Sequence, residues 1–268
     1  MKTALIAGSG ALPAALAVAM AEKPLVTAME GHAPNGLVVD LSFRVERLVP
    51  FLRALEREGV EEVVFAGAVT RPRLDPALLD PDTASLLPRL MQAMAAGDDA
   101  TLRVVIALFE EFGFTVAGVD AVAPALLPGP GVLAGTVSER DKADAARAAE
   151  IVQAIGAVDV GQGAVVVQGL CLAVEALPGT DAMLEAVAGL KPGLRPDAAR
   201  GRGVAFKAAK PGQDRRIDLP TIGPETLRGV SAAGLGGLAF QAGSVICLNL
   251  QEMQRIAGDL GLFLWARE

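Results

Sequence analysis

The sequence predicts an α/β protein in two parts, and three features lead to that reading. Short apolar runs alternate with stretches of helical periodicity through the first half, in β-α-β order. Two of those runs, ending at Ala7 and Ala66, lead straight into glycine, at Gly8 and Gly67. Packing is left to small aliphatic side chains: 52% of residues are hydrophobic, only 4% are aromatic, and there is no Tyr. That composition suits helices laid closely on a parallel sheet. A length of 268 residues allows two modest domains with real cores.

Residues 3–7 read as a buried strand that runs into Gly8-Ser9-Gly10-Ala11-Leu12-Pro13 and a helix over 14–21. A strand, a glycine turn and a helix N-terminus can cradle a phosphate. Gly8 and Gly10 supply GxG, but Pro13 stands in place of the third glycine of GxGxxG. The next strand, 25–29, ends at Glu30, an acid that could hold a ribose or simply occupy a turn. Residues 43–58 carry helical periodicity, with Gly59 as a stop. Residues 62–67 form a further strand, so the first half is expected to be Rossmann-like with a parallel sheet. Ligands of such sheets bind beyond the strand carboxyl ends. That groups Gly8, Gly10, Gly67 and residues 69–71, with Arg71 and Arg73 able to reach an anion or to lie solvated. Residues 85–95 predict a helix, and Gly97-Asp98-Asp99 restarts one that reaches Phe112. Asp98 or Asp99 can cap that helix, or give oxygen ligands to Mg²⁺. Residues 114–118 close this half as a strand.

The domains are set at residues 1–126 and 138–268, with 127–137 as a linker centred on Pro128-Gly129-Pro130-Gly131. The second domain is expected to be a distinct α/β unit. Ser138 caps a helix to about residue 155, with Asp141 placed for a capping box. Asp159-Val160-Gly161-Gln162-Gly163 leads into a strand to residue 167, and 170–176 pairs with it as a hairpin. Thr180 reads as the N-cap of a helix, whose free N–H groups could meet phosphate instead. Residues 204–207 are strand-like. A helix follows from Glu225, with short strands at 237–239, 244–248 and 262–265 and a helix over 250–259.

Composition removes several function classes. The formal net charge is −7 and the pI is near 4.9, which argues against nucleic acid as a partner. Cys171 and Cys247 lie in apolar runs and read as buried free thiols of a reducing cytosol, not as metal ligands. His32 is the sole histidine, in a turn-like segment, so a histidine triad or histidine-rich metal site is excluded. No signal peptide is visible, and no run of about twenty apolar residues predicts a transmembrane helix.

The chemistry is placed in residues 206–223. Residues 200–216 hold six basic residues against one acid, Asp214, in an otherwise acidic chain. Asp218 follows, and Leu219-Pro220 stiffens the backbone after it. Cations that hold an anion beside a carboxylate are what phosphoryl chemistry needs, though a solvated loop would carry the same residues.

Seven motifs then appear in order: Ala7-Gly8-Ser9-Gly10-Ala11-Leu12-Pro13, Phe65-Ala66-Gly67, Gly97-Asp98-Asp99, Asp159-Val160-Gly161-Gln162-Gly163, Gly179-Thr180-Asp181-Ala182-Met183-Leu184, Lys210-Pro211, and Arg216-Ile217-Asp218-Leu219-Pro220-Thr221-Ile222-Gly223. The set resembles the LpxI family of UDP-2,3-diacylglucosamine pyrophosphatases across nearly the whole chain. Ala68 after Gly67 and Pro178 before Gly179 depart from the family's pattern. The resemblance implies a Gram-negative lipid A enzyme that hydrolyses UDP-2,3-diacylglucosamine to 2,3-diacylglucosamine 1-phosphate (lipid X) and UMP with Mg²⁺ or another divalent cation. It implies a substrate held between the two domains, and a cytoplasmic protein in peripheral contact with the inner membrane. A homodimer is left open. The family's essential acid falls on Asp218. Asp98, Asp99 and Asp218 become the expected metal ligands. Gly8, Gly10, Leu12, Gln162, Thr180, Asp181, Lys210, Gln213, Arg215, Arg216 and Thr221 become the expected substrate contacts, with Lys210, Arg215 and Arg216 facing phosphate. A non-catalytic nucleotide-sugar or lipid-binding protein stays open beside this. So does an NAD(P)-dependent oxidoreductase, weakened by Pro13 and by the lack of a catalytic Tyr.

Overall fold

The computed structural model describes residues 1–70, 73–191 and 193–268, with the backbone alone at Ala96, Asp98 and Asp99. Two compact units emerge. The first comprises Met1–Ala125 together with Asp214–Asp218; the second comprises Leu126–Gln213 and Leu219–Glu268.

In the first unit the chain runs β1 (Thr3–Ala7), α1 (Leu12–Ala19), β2 (Leu25–Met29), β3 (Leu41–Phe43), α2 (Leu48–Arg57), β4 (Glu62–Ala66), α3 (Pro81–Ala84), α4 (Leu87–Ala96), α5 (Asp98–Glu111), β5 (Thr115–Ala117) and α6 (Val119–Val122). The sheet order is β3-β2-β1-β4-β5, and every pairing is parallel. The strand order reverses between β1 and β4, which opens the crevice typical of such sheets at their carboxyl ends. β1 and β4 are central, and Ala4, Leu5, Val63 and Val64 are fully buried. α2 presents Leu48, Phe51, Leu52 and Leu55 to the core and Arg53, Glu56 and Arg57 to solvent. Burying each of those large side chains is worth about 1.5–3 kcal/mol.

The helix expected over 43–58 is shorter than its periodicity suggested. Phe43 ends β3 instead and stacks on Phe51 with ring centroids 4.0 Å apart. Arg44 is extended, at φ −119° and ψ 148°, and a 3₁₀ turn over Val45–Arg47 precedes α2. Pairing of Phe43 beside Met29 outcompetes one more helical turn.

The second unit contains β6 (Gly131–Ala134), α7 (Glu139–Ala157), β7 (Gly163–Val167), β8 (Leu170–Val174), α8 (Gly179–Ala188), β9 (Val204–Lys207), β10 (Thr221–Ile222), α9 (Pro224–Ala232), β11 (Gly237–Gln241), β12 (Ile246–Cys247), α10 (Leu250–Asp259) and β13 (Phe263–Arg267). The main sheet has the order β6-β13-β11-β9-β7-β8, and β10 pairs with β12 separately. β13, β11 and β9 are parallel, while β6, β7 and β8 join by antiparallel pairing. The sheet is mixed, with helices on both faces. Val165, Ala205, Leu238, Phe240 and Leu264 point one way, onto Leu184, Leu227, Val230, Met253 and Ile256 of α8, α9 and α10. Ala164, Val166, Val204, Phe206 and Ala239 point the other way, onto Ala145, Ala148 and Val152 of α7. That alternation is the period of two of a strand covered on both faces.

The capping box at α7 forms as expected: Ser138 and Asp141 exchange side-chain and backbone hydrogen bonds. β6 lies inside the stretch read as linker. It is an edge strand whose Leu133 and Ala134 rest on the core, and Gln254 Nε2 donates to the Leu133 carbonyl at 3.0 Å. Cys247 is buried, but Cys171 is exposed, because β8 is an edge strand and its apolar run is half open to water. Among the described residues no helix is long and apolar enough to cross a membrane.

Candidate active site

The glycine turn after β1 closes on its own unit. Gly8 N–H donates to the Ala66 carbonyl at 2.8 Å, and Ser9 and Ala68 exchange backbone hydrogen bonds at 2.9 Å each. A Cβ on Gly8 would lie 2.5 Å from Ala68 O, and one on Gly67 would lie 2.7 Å from Gly8 C. The glycines therefore let two backbone loops touch, as their φ freedom and missing side chains permit. The Gly8 amide is already committed to Ala66, so it is a packing glycine rather than a phosphate donor. Gly10, at φ +100°, is unobstructed, and Leu12 opens α1 half-buried. His32 is held in the same unit: Thr70 N–H donates to its Nε2 at 3.1 Å, and Thr70 Oγ1 lies 2.7 Å from that nitrogen.

The segment carrying Asp218 is fixed on both sides. Asp214 organises its start. Its Oδ1 accepts from Arg216 N and Nε at 3.0 Å each, and its Oδ2 accepts from Arg216 Nη2 at 2.7 Å. The Arg216 hydrogen bonds hold the Asp214 carboxyl below its ordinary range, and the same contacts raise the guanidinium. Arg216 Nη1 continues to Glu110 Oε1 of α5 at 2.7 Å. The Asp214 carbonyl accepts from both Ile217 N and Asp218 N at 3.3 Å, and Ile217 rests on the core of the first unit. After Asp218, Leu219 and Pro220 are buried, and the Pro220 carbonyl accepts from Ile246 N at 2.8 Å beside β12. Thr221 and Ile222 then pair with Ile246 and Cys247. Asp218 is thus a half-buried carboxylate on a backbone pinned at each end, which is how a reacting group is preorganised. Arg216 is drawn into holding this turn, so the phosphate contact expected of it competes with two carboxylates.

A second group assembles around the carboxyl end of β9. Lys207 Nζ donates to Glu175 Oε1 at 3.1 Å and Oε2 at 3.0 Å, with only 6% and 8% of the two side chains exposed. Its third hydrogen bond goes to Thr180 Oγ1. Thr180 also lies 3.2 Å from Glu175 Oε2. Thr180 is therefore not an N-cap. α8 begins at Gly179 after Pro178, which makes no side-chain cap, and the threonine hydroxyl turns inward to the ion pair. Gly161 and Gly163 admit Glu175: Cβ atoms there would lie 2.0 Å from its carbonyl oxygen and 2.4 Å from Oε2. The glycines of Asp159-Val160-Gly161-Gln162-Gly163 exist for that approach. Lys210 Nζ pairs with Asp159 Oδ1 at 2.7 Å, and Lys210 N–H donates to Gln213 Oε1 at 3.0 Å. Gln162 Oε1 is buried with no hydrogen-bond partner among the described residues. An unpaired buried acceptor costs about 1–3 kcal/mol, which a ligand donor would recover. Asp181 and Arg215 are exposed, and Thr221 is half-buried.

Lys207 lies in the stretch where the sequence places the chemistry, but its pairing with Glu175 is not predicted. The available signal was a lysine closing the buried run Val204-Ala205-Phe206, and a glutamate closing an apolar hairpin strand. Asp98 and Asp99 open α5 behind Gly97. Their side chains lie outside the described residues, as does Arg71 entirely. Among the described residues no group of three or more His, Cys, Asp or Glu is placed to hold a metal ion.

Comparison with known families covers the chain almost end to end. Residues 2–126 match the family model for the LpxI N-terminal domain, and residues 129–265 match that for the LpxI C-terminal domain. The chain belongs to the LpxI family. The boundary between the two LpxI models falls beside Ala125, where the first unit's main segment ends. The LpxI C-terminal region nevertheless contains Asp214–Asp218, which packs with the first unit. A curated relative, the UDP-2,3-diacylglucosamine pyrophosphatase LpxI of Caulobacter vibrioides, is 40% identical over 98% of this chain and 96% of its own length.

Proposed function

We propose that this LpxI-family chain is an enzyme that hydrolyses the pyrophosphate bond of UDP-2,3-diacylglucosamine, releasing lipid X and UMP during lipid A synthesis. The observation that carries this is the 40% identity, over 98% of this chain and 96% of the other, to a relative named for that activity. The residues support it. Asp218 is the acid of the most specific motif, and its backbone is anchored on both sides. A fixed carboxylate can orient an attacking water and accept its proton as the phosphorus is approached. Lys210 and Arg215 remain the proposed phosphate contacts, and Gln162 has a buried, unpaired carbonyl oxygen that an N–H or O–H of the substrate would satisfy.

Divalent-metal dependence belongs to the same proposal. Mg²⁺ is commonly held by one or two carboxylates plus substrate phosphates, so the lack of a three-residue cluster among the described residues is compatible with it. Asp218 would be one ligand, with Asp98 and Asp99 the other oxygen donors proposed. When bound, the ion would neutralise phosphate charge and stabilise the leaving group. A diacylated substrate also calls for peripheral contact with the inner membrane surface. The test is release of UMP from UDP-2,3-diacylglucosamine, supported by Mg²⁺ and stopped by EDTA. Asp218→Asn should keep the fold and lower turnover by about a hundredfold or more. Turnover of that variant near the wild-type rate would overturn the assignment of Asp218. No UMP from the wild-type protein would overturn the activity.

A further inference from the structure

A groove of about 530 Å³ opens in the second unit at the end of the sheet away from Lys207. It is bordered by Arg202, just before β9, by Gly236, just before β11, and by Leu262, just before β13. Its walls are rich in glycine, at Gly135, Gly201, Gly236, Gly258 and Gly261, so a ligand could approach the backbone closely.

The rim is cationic. Arg202 lines the groove, and one of its nitrogens, Nη2, is steadied by the Gly261 carbonyl at 2.7 Å, leaving its other donors. Arg140 Cδ lies 2.6 Å from where a Cβ on lining residue Gly201 would sit. Arg200 closes the 3₁₀ turn Ala198–Arg200, whose first two residues line the groove. Among the described residues none of Arg140, Arg200 and Arg202 has a carboxylate within 4.0 Å. Two of the acids nearby are ion-paired, Glu139 with Lys142 and Asp259 with Arg255; Asp141, which also lines the groove, and Asp197 keep their charges on neutral donors, Ser138 and Ala199 N, so three arginines face two unpaired carboxylates. Unneutralised arginines gathered around one concave polar site, in a chain of net charge −7, focus a local positive potential. Guanidinium groups match phosphate by paired N–H donors.

We propose that this groove is a binding site for a phosphate-bearing ligand, separate from the site at Asp218. The phosphate can belong to an anionic lipid headgroup or to a soluble compound, and two arms of one experiment on the full chain separate them. In the first, the wild type and Arg140→Ala/Arg202→Ala are sedimented with phosphatidylglycerol vesicles and with phosphatidylcholine vesicles. In the second, inorganic phosphate is titrated and the unfolding of the second unit is followed by the fluorescence of Trp265, the sole tryptophan. A headgroup ligand gives wild-type binding selective for phosphatidylglycerol that falls by about tenfold or more in the double variant. A soluble ligand gives stabilisation of the wild type by phosphate that the variant loses. Either result supports the site and names its source. Equal behaviour of wild type and variant in both arms overturns it. UMP release from detergent-dispersed substrate should stay within about twofold in the variant, since neither arginine is among the residues assigned to the reaction and surface charges act mainly on association. That readout keeps failure of this proposal distinct from failure of the proposed activity.

Discussion

Replacing Lys207 should expose how much the second unit depends on its buried ion pair. The ammonium has three protons, and Glu175 Oε1, Glu175 Oε2 and Thr180 Oγ1 take them. Lys207→Met keeps most of the side chain's length and removes all three bonds, leaving Glu175 buried beside Gly161 and Gly163 with no cation. Removing one partner of a buried pair costs about 3–5 kcal/mol, because the remaining charge is uncompensated. Replacing both partners by apolar groups is often neutral, so Lys207→Met/Glu175→Leu should recover much of the loss. Urea unfolding followed through Trp265 in β13 reports this unit alone, since the first unit contains no tryptophan. With a urea slope of about 2 kcal/mol per molar, the single variant should move the midpoint down by about 2 M. Thr180→Val should lie between it and the wild type. A loss under about 1 kcal/mol in Lys207→Met, or a double variant equal to the sum of the singles, would show that the pair is not coupled as drawn.

Two titration experiments follow from other buried groups. Burial pushes the Cys247 thiol up to about 12 from 9.0. Its stabilising effect is therefore complete below pH 9 and is lost as pH rises toward 12, by about 1.4 kcal/mol per pH unit. The difference in alkaline unfolding between wild type and Cys247→Ala should carry that slope, and a flat difference would count against the burial. A thiol reagent should meanwhile label one cysteine, Cys171, in the native chain and two after denaturation. In the first unit Glu46 accepts from Asp75 N–H at 2.9 Å and faces Arg44 at 3.4 Å, and that backbone bond, before any other cause, holds its carboxyl below the ordinary value. A lowered folded value stabilises above the unfolded pKa and fades as pH falls through the folded one. Glu46→Gln should cost about 1 kcal/mol at neutral pH and flatten the acid limb of unfolding measured by circular dichroism; an unchanged acid limb would refute it.

The β-α-β reading of the first half succeeds because β1, β2 and β4 are buried on both faces and so appear as unbroken apolar runs. β3 and β6 are missed for the opposite reason. Each is short and lies at a sheet edge, and only tertiary pairing distinguishes it from a loop. The capping box at Ser138 is legible because both partners lie within one turn. Thr180 misleads because its sequence context looks like a cap, while the group that claims its hydroxyl, Lys207, is 27 residues away. The role expected of Asp218 rests more on an ordered set of motifs than on its place at the end of a basic run, which a solvated loop would also carry. That the chain passes from one unit to the other directly after Asp218 is a property of packing that no local pattern encodes.

The basic run 200–216 shows most clearly how a linear cluster differs from a site. β9 occupies its middle, and at about 3.3 Å per residue it sets Val204 about 10 Å from Lys207. Arg200 and Arg202 stay at the amino end, beside the glycine-lined groove. Lys207 is consumed by Glu175 and Thr180, and Lys210 by Asp159. Arg216 leaves for the first unit, where Asp214 and Glu110 neutralise it. Six cations in sequence therefore become two exposed arginines at one end of a strand and a largely compensated set at the other. Fewer of these charges are uncommitted than the sequence advertises. The proposed divalent cation would then carry much of the charge balance of the proposed reaction, which is why loss of UMP release in EDTA is the most informative arm of the activity test.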